Sequence, residues 1–127
     1  TVSTNNAAGY DLTLANSDAT LTLVNGANTI GAHAGTYAAP TALANNTWGY
    51  AVGGLGSFDA SYTTLTNATT STTKWSGVPS SASPQNIKST ATVASGDTTT
   101  VWYAVKADTT KPNGVYTDTV TYTATTK

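Results

Sequence analysis

Apolar side chains recur at every second position over short runs of this chain. In GYDLTLAN, Tyr10, Leu12 and Leu14 fall on one face. In TLTLVNGANTI, Leu21 and Leu23 do the same, and Asn25-Gly26 supplies a hairpin turn because both residues tolerate positive φ. TWGYAV places Trp48, Tyr50 and Val52 on one side, KWSGV is a short strand around Trp75, and NIKSTATV alternates Ile87, Ser89, Ala91 and Val93. A period of two, broken by Gly, Asn, Pro and Ser, predicts strands at sandwich-like spacing. No long segment carries the i, i+3, i+4 spacing of a helix.

Two C-terminal runs are the longest. In TTTVWYAVKAD, Val101, Tyr103 and Val105 share one face, and Trp102, Ala104 and Lys106 share the other. Apolar character on both faces predicts a central strand. After Pro112 and the Asn113-Gly114 turn, Tyr116, Val120, Tyr122 and Ala124 point one way and Thr117, Thr119, Thr121, Thr123 and Thr125 the other. This predicts a long terminal strand with one buried face, closing a hairpin with the preceding run. Asp118 is the misfit on the inner face and is expected near the sheet's end, in reach of water. Segments 31–47 and 53–72 read as loops, with one further strand expected around Phe58–Leu65. No repeat of fixed period occurs, which argues against a solenoid.

Composition agrees with an all-β reading. The chain has 127 residues, the size of one domain, and 1–127 is expected to form a single sandwich. It contains 29 Thr, while Glu and Arg are absent and only 9% of residues are charged. Good helix formers are scarce and residues that fit a pleated surface abound. Three Trp, seven Tyr and one Phe are enough large side chains for a core. Low charge and a net charge of -1 argue against nucleic-acid binding, which needs clustered Lys and Arg. Cysteine is absent, so no disulfide framework and no thiol chemistry exist. No apolar run is long enough to span a membrane as a helix, so no membrane insertion is expected. No signal peptide is visible, and Thr1 is read as a mature N-terminus.

Candidate chemistry is sparse. His33, the lone histidine, lies in an Ala/Gly stretch far in sequence from Asp18 and Asp59, and reads as a solvated loop residue rather than a catalytic base. The six Asp are dispersed, unlike a calcium loop. Asp108 and Asp118 flank the last turn and are read as turn caps. Gly53–Gly56 lacks the following helix and lysine of a phosphate loop. Lys106, with Asn5, Asn6 or Asn113 as partner, is a candidate for an isopeptide bond, and a snorkelling lysine is the plainer reading. The Thr row of the last strand resembles an ice-binding surface, but it is a single row, which an ordinary twisted sheet explains. Asn45 and Asn67 each head an Asn-x-Thr sequon and are candidate glycosylation sites. Trp48, Trp75 and Trp102 are read as core rather than as sugar-stacking platforms. No catalytic group and no cofactor are expected, so the chain is read as a non-enzyme.

The run TVWYAVKADTTKPNGVYTDTVTYTAT, with Gly114-x-Tyr116-x-Asp118-x-Val120 entering the last strand, resembles the C-terminal hairpin of secreted bacterial β-sandwich proteins. It is similar to the ending of spore-coat-U-type pilins of archaic chaperone–usher fibres. With the STNNAAGYDLTL opening, it also looks like immunoglobulin-like modules of cell-surface proteins. The resemblance implies an immunoglobulin-like antiparallel β-sandwich, secreted to the cell surface, with fibre formation as one use. A sandwich lacking an edge strand exposes an apolar groove that a neighbour's strand can fill, giving a homopolymer. The candidate donor or linking strand is residues 1–8 (Thr1, Val2, Ser3, Thr4, Asn5, Asn6, Ala7 and Ala8). The candidate wall of the acceptor groove is Val115, Tyr116, Val120, Tyr122 and Ala124. The alternative is a monomeric immunoglobulin-like stalk or adhesion module of a larger surface protein, with surface glycans as partners.

Overall fold

Alternating strands need a second layer to bury their apolar face, and here two main sheets supply it to each other. The computed structural model describes residues 1–53 and 73–127. The strand expected around Phe58–Leu65, as well as Asn67 and Asp59, lies outside the described residues.

Among the described residues the chain is all-β, with eleven strands and no helix. They are β1 (Val2–Thr4), β2 (Tyr10–Asn16), β3 (Thr22–Asn25), β4 (Asn28–Ala32), β5 (Thr41–Ala42), β6 (Thr47–Val52), β7 (Lys74–Trp75), β8 (Gln85–Ser89), β9 (Ala94–Asp97), β10 (Val101–Lys106) and β11 (Val120–Thr126). One sheet has the order β10-β6-β4-β3 and the other β11-β2-β8. The pairs β1-β9 and β5-β7 are small ribbons. The core joins both sheets: Tyr10, Leu12 and Leu14 of β2 and Ile87 of β8 pack with Ile30, Trp48, Tyr50 and Val52 of the larger sheet. Trp75 and Val78 complete it. The architecture is therefore sandwich-like.

Strand positions follow the alternation. Along β2, Tyr10, Leu12, Leu14 and Asn16 face inward and all are buried. The β3–β4 hairpin pairs Asn25 with Asn28, so its two loop residues are Gly26 and Ala27 rather than Asn25-Gly26. Gly26 has φ 59°, and positive φ at the first central residue alone is the signature of a type II′ turn.

Several expectations change. The sheet is not wholly antiparallel: β4 and β6 run parallel, with Gly31 opposite Thr47 and Ala32 opposite Trp48. A parallel pair needs a long crossover, and residues 33–46 provide it. That stretch is not all loop, since it contains β5. The strand read through Val93 stops at Ser89, leaving Val93 exposed. Among the described residues β10 is an edge strand, not a central one. Its outer Trp102 and Ala104 are partly buried, while Tyr103 and Val105, on its inner face, are 43% and 55% exposed.

β10 and β11 also do not form a hairpin. Between them the chain leaves one sheet, lays Thr117 against Val24 at the far edge of that same sheet, then joins β2 in the other. The last strand thus begins at Val120 rather than directly after the Asn113-Gly114 turn, and Val115 and Tyr116 precede it. Asp118 lies just before the start of β11, half-buried, and accepts a 2.6 Å hydrogen bond from the Nδ2 of Asn16. Asn16 is 1% exposed; its amide also donates to the Thr20 carbonyl and its Oδ1 accepts from the Asp18 N–H, so this polar core position is saturated.

Candidate functional site

The two sheets are not closed along one side. Among the described residues, β10 bonds only to β6, and β11 only to β2. In register, Val101, Tyr103 and Val105 lie opposite Val52, Tyr50 and Trp48, so they belong to the inner face. Val120, Tyr122 and Ala124 lie opposite Asn16, Leu14 and Leu12, so they too face inward. Yet Tyr103, Val105, Tyr122 and Ala124 are exposed, and Val101 and Val120 only half-buried. Among the described residues, no strand covers this seam between β10 and β11.

The seam is bridged at one point. The hydroxyls of Tyr103 and Tyr122 are 2.6 Å apart, joining the two sheets through their side chains. Trp48 stacks on the Tyr103 ring at 6.3 Å and 27°, which orients it. Partial burial raises both phenol pKa values above the ordinary tyrosine value, and the Tyr122 hydroxyl raises that of Tyr103 further. Both are therefore neutral phenols at neutral pH. On one side of this bridge is a cavity of about 470 Å³ lined by Thr1, Val2, Leu12, Thr99, Val101, Tyr122 and Ala124. Another, of about 390 Å³, lies between the inner face of the larger sheet (Leu23, Ile30, Val105) and the 111–116 segment.

Of the residues expected to form a groove wall, Val120, Tyr122 and Ala124 line this seam together. Tyr116 lines the second cavity and donates its hydroxyl to the Pro112 carbonyl. Val115 is 77% exposed and lines neither cavity. Val101, Tyr103 and Val105 were missed as wall residues because apolar character on both faces of their strand reads as a central strand. The expected donor segment is partly folded onto its own chain: within residues 1–8, β1 pairs antiparallel with β9, Val2 opposite Asp97 and Thr4 opposite Ala94. Gly96 N–H donates to Ser3 Oγ, and Asn6 Nδ2 donates to the Lys127 carbonyl. Val2 enters one end of the seam.

The remaining sequence candidates separate. Lys106 reaches the Leu43 carbonyl at 3.5 Å, whereas Asn6 holds Lys127, so no Lys–Asn pair forms there. Asp108 and Asp118 do not meet: Asp108 caps its own turn through Thr110 and clasps Asn46. Asn45 is exposed on the turn before β6. Trp48 and Trp75 are core residues and Trp102 is partly buried. Among the described residues, no cluster of His and Asp has metal-ligand geometry, and no helix is long and apolar enough to cross a membrane.

His33 differs most from expectation. It is 6% exposed, at the end of β4, and holds the crossover together. Ala44 N–H donates to Nδ1 at 3.4 Å, which makes Nδ1 an acceptor; Nε2 then carries the proton and donates to Thr41 Oγ1 at 2.9 Å. Three glycines close around it: added Cβ atoms would lie 3.0 Å from the ring at Gly35, 3.4 Å from His33 Cβ at Gly49 and 2.0 Å from its carbonyl oxygen at Gly77. The spacing of these glycines in sequence carries no period that would have revealed the cradle.

Burial holds the His33 pKa below the ordinary histidine value of 6.5. The folded chain therefore binds fewer protons than the unfolded one once pH falls below that value, and stability is lost with acidification. Asp97, Asp11 and Asp108 are held below 3.8, chiefly by hydrogen bonds from Lys88, Ser89 and Thr110, so their contribution is lost only at lower pH. The urea midpoint is expected to fall between about pH 7 and about pH 5, and His33→Gln is expected to flatten that slope. An unchanged slope in the variant would assign the effect to another group.

The fold and seam of the described residues define a class: an all-β, sandwich-like architecture with an apolar opening between β10 and β11. The chain matches no family model, no curated protein and no solved structure.

Proposed function

We propose that this chain is a non-enzymatic structural subunit of an extracellular fibre, built on an immunoglobulin-like sandwich and assembled by strand complementation. The open seam carries the reading. It offers two backbone edges, of six and seven residues, that pair with no further strand among the described residues, beside inward-facing apolar side chains. Long free edges invite strand addition. An added strand gains roughly 0.5–1.5 kcal/mol per main-chain hydrogen bond and buries the apolar row as well. The occupant is the 1–8 segment of a second copy. It is held at home by a three-residue strand in a two-stranded ribbon, outside both main sheets, and such ribbons are marginal in water. Its contact with the neighbour is head-to-tail and propagates into a filament rather than closing.

A second reading, a monomeric stalk or adhesion module at the cell surface, is favoured by one observation: Val2 already enters one end of the seam within its own chain. Negative-stain microscopy of the purified chain separates the two. Long uniform filaments that vanish when residues 1–8 are trimmed are expected. Dispersed particles of one chain's size at high concentration would overturn assembly and leave the stalk reading, with glycan binding the next measurement.

A further inference from the structure

We propose that Tyr103 and Tyr122 form a paired oxidation site, at which a one-electron oxidant, such as a peroxidase using hydrogen peroxide, joins the two sheets through a dityrosine bond. The site is that of the unassembled chain, in which no second copy covers the seam, and it does not rest on assembly.

The two rings come from different sheets, and no backbone ladder links their strands. Their hydroxyls are 2.6 Å apart, so the ring carbons ortho to each oxygen, one bond removed from the carbon that bears it, are brought near each other. Both residues are more than two-fifths exposed, at 43% and 44%, so a diffusing oxidant reaches them. Stacking on Trp48 keeps Tyr103 turned toward its partner. The other described tyrosines are less suited. Tyr10 and Tyr50 are buried, Tyr116 spends its hydroxyl on Pro112, and Tyr37 is partly buried against the core.

The chemistry balances. Each phenol loses one electron to the oxidant and its hydroxyl proton to water, which reaches the half-exposed pair. Spin on the two radicals spreads to the ortho carbons, which couple to form a carbon–carbon bond. The hydrogen on each coupled carbon then moves to oxygen and restores both phenols. One hydrogen peroxide takes up the two electrons and two protons and becomes two waters. The product is a covalent link across the seam, added to the finished fold.

The test treats the dilute, folded chain with a peroxidase and hydrogen peroxide, and in parallel with ruthenium tris-bipyridyl, light and persulfate. The second oxidant is small enough that exclusion of the enzyme from the seam cannot decide the result. Expected are blue dityrosine fluorescence, a monomer lighter by two hydrogen atoms, a proteolytic fragment joining Tyr103 to Tyr122, and a raised melting temperature. Tyr103→Phe and Tyr122→Phe should each abolish the joined fragment while the chain stays folded. Links formed only between molecules or between other tyrosines, or undiminished intramolecular linkage in the Phe variants, would overturn the assignment.

Discussion

Gly77→Ala is expected to destabilise the chain by about 3 kcal/mol or more, a large part of the whole for a domain of this size. The added methyl would sit 2.0 Å from the His33 carbonyl oxygen, and backbone atoms rather than a flexible side chain would have to move. They have little room. The His33 N–H is bonded to the Trp48 carbonyl at 2.7 Å, and the Gly77 N–H to the Gly35 carbonyl at 2.8 Å. Moving either strand away also strains the two bonds between Tyr50 and Ser76. Gly31→Ala is the control, because a Cβ there meets nothing within 4 Å. Urea unfolding of the two variants reads the difference. Equal midpoints would show that the close approach around His33 relaxes at little cost.

Ala124→Arg is expected to abolish filaments while leaving the melting temperature within a few degrees of the parent. In the isolated chain Ala124 is exposed on the inner face of β11, so a guanidinium there keeps its water. An incoming strand would cover it, and desolvating an unpaired charge costs several kcal/mol, more than the hydrogen bonds of a short strand return. Thr123→Arg, one residue away on the outer face, keeps its charge in water in either state and should assemble normally. Microscopy and a thermal melt of both variants give the answer. Filaments from Ala124→Arg would remove the seam from the assembly contact, even if assembly itself is real.

The same two positions show how far alternation alone can be read. That Thr123 and Ala124 point to opposite faces follows from their order in the chain, since neighbouring Cβ atoms on a strand point to opposite sides. That the inner of the two faces is uncovered does not follow, because the alternation of an edge strand and that of a covered strand are the same. β10 was misplaced for this reason: Trp102 and Tyr103 look alike in sequence, yet the outer one is the more covered. The hairpin expected between β10 and β11 failed differently. A Pro-Asn-Gly turn permits a reversal, but the long connection is equally able to cross between sheets, and pairing with β2 decides it.

His33 and Asn16 mark the other limit. His33 reads as a solvated loop residue and nothing in the sequence singles out Asn16, yet each is buried and hydrogen-bonded. Partners such as Asp118 for Asn16 lie up to about a hundred residues away, and contacts of that separation leave no local pattern.

The sequence by itself therefore determined that the described residues are all-β, where the main strands β2, β3, β4, β6, β8, β10 and β11 run, and which side of β2, β6 and β11 faces inward. Those properties depend on a period of two and on turn residues, both local. The tertiary structure alone decided the strand order, the parallel crossover around His33, the glycine cradle and the open seam. These depend on which edges meet in space, and main-chain edges carry the same donors and acceptors whatever side chains they bear.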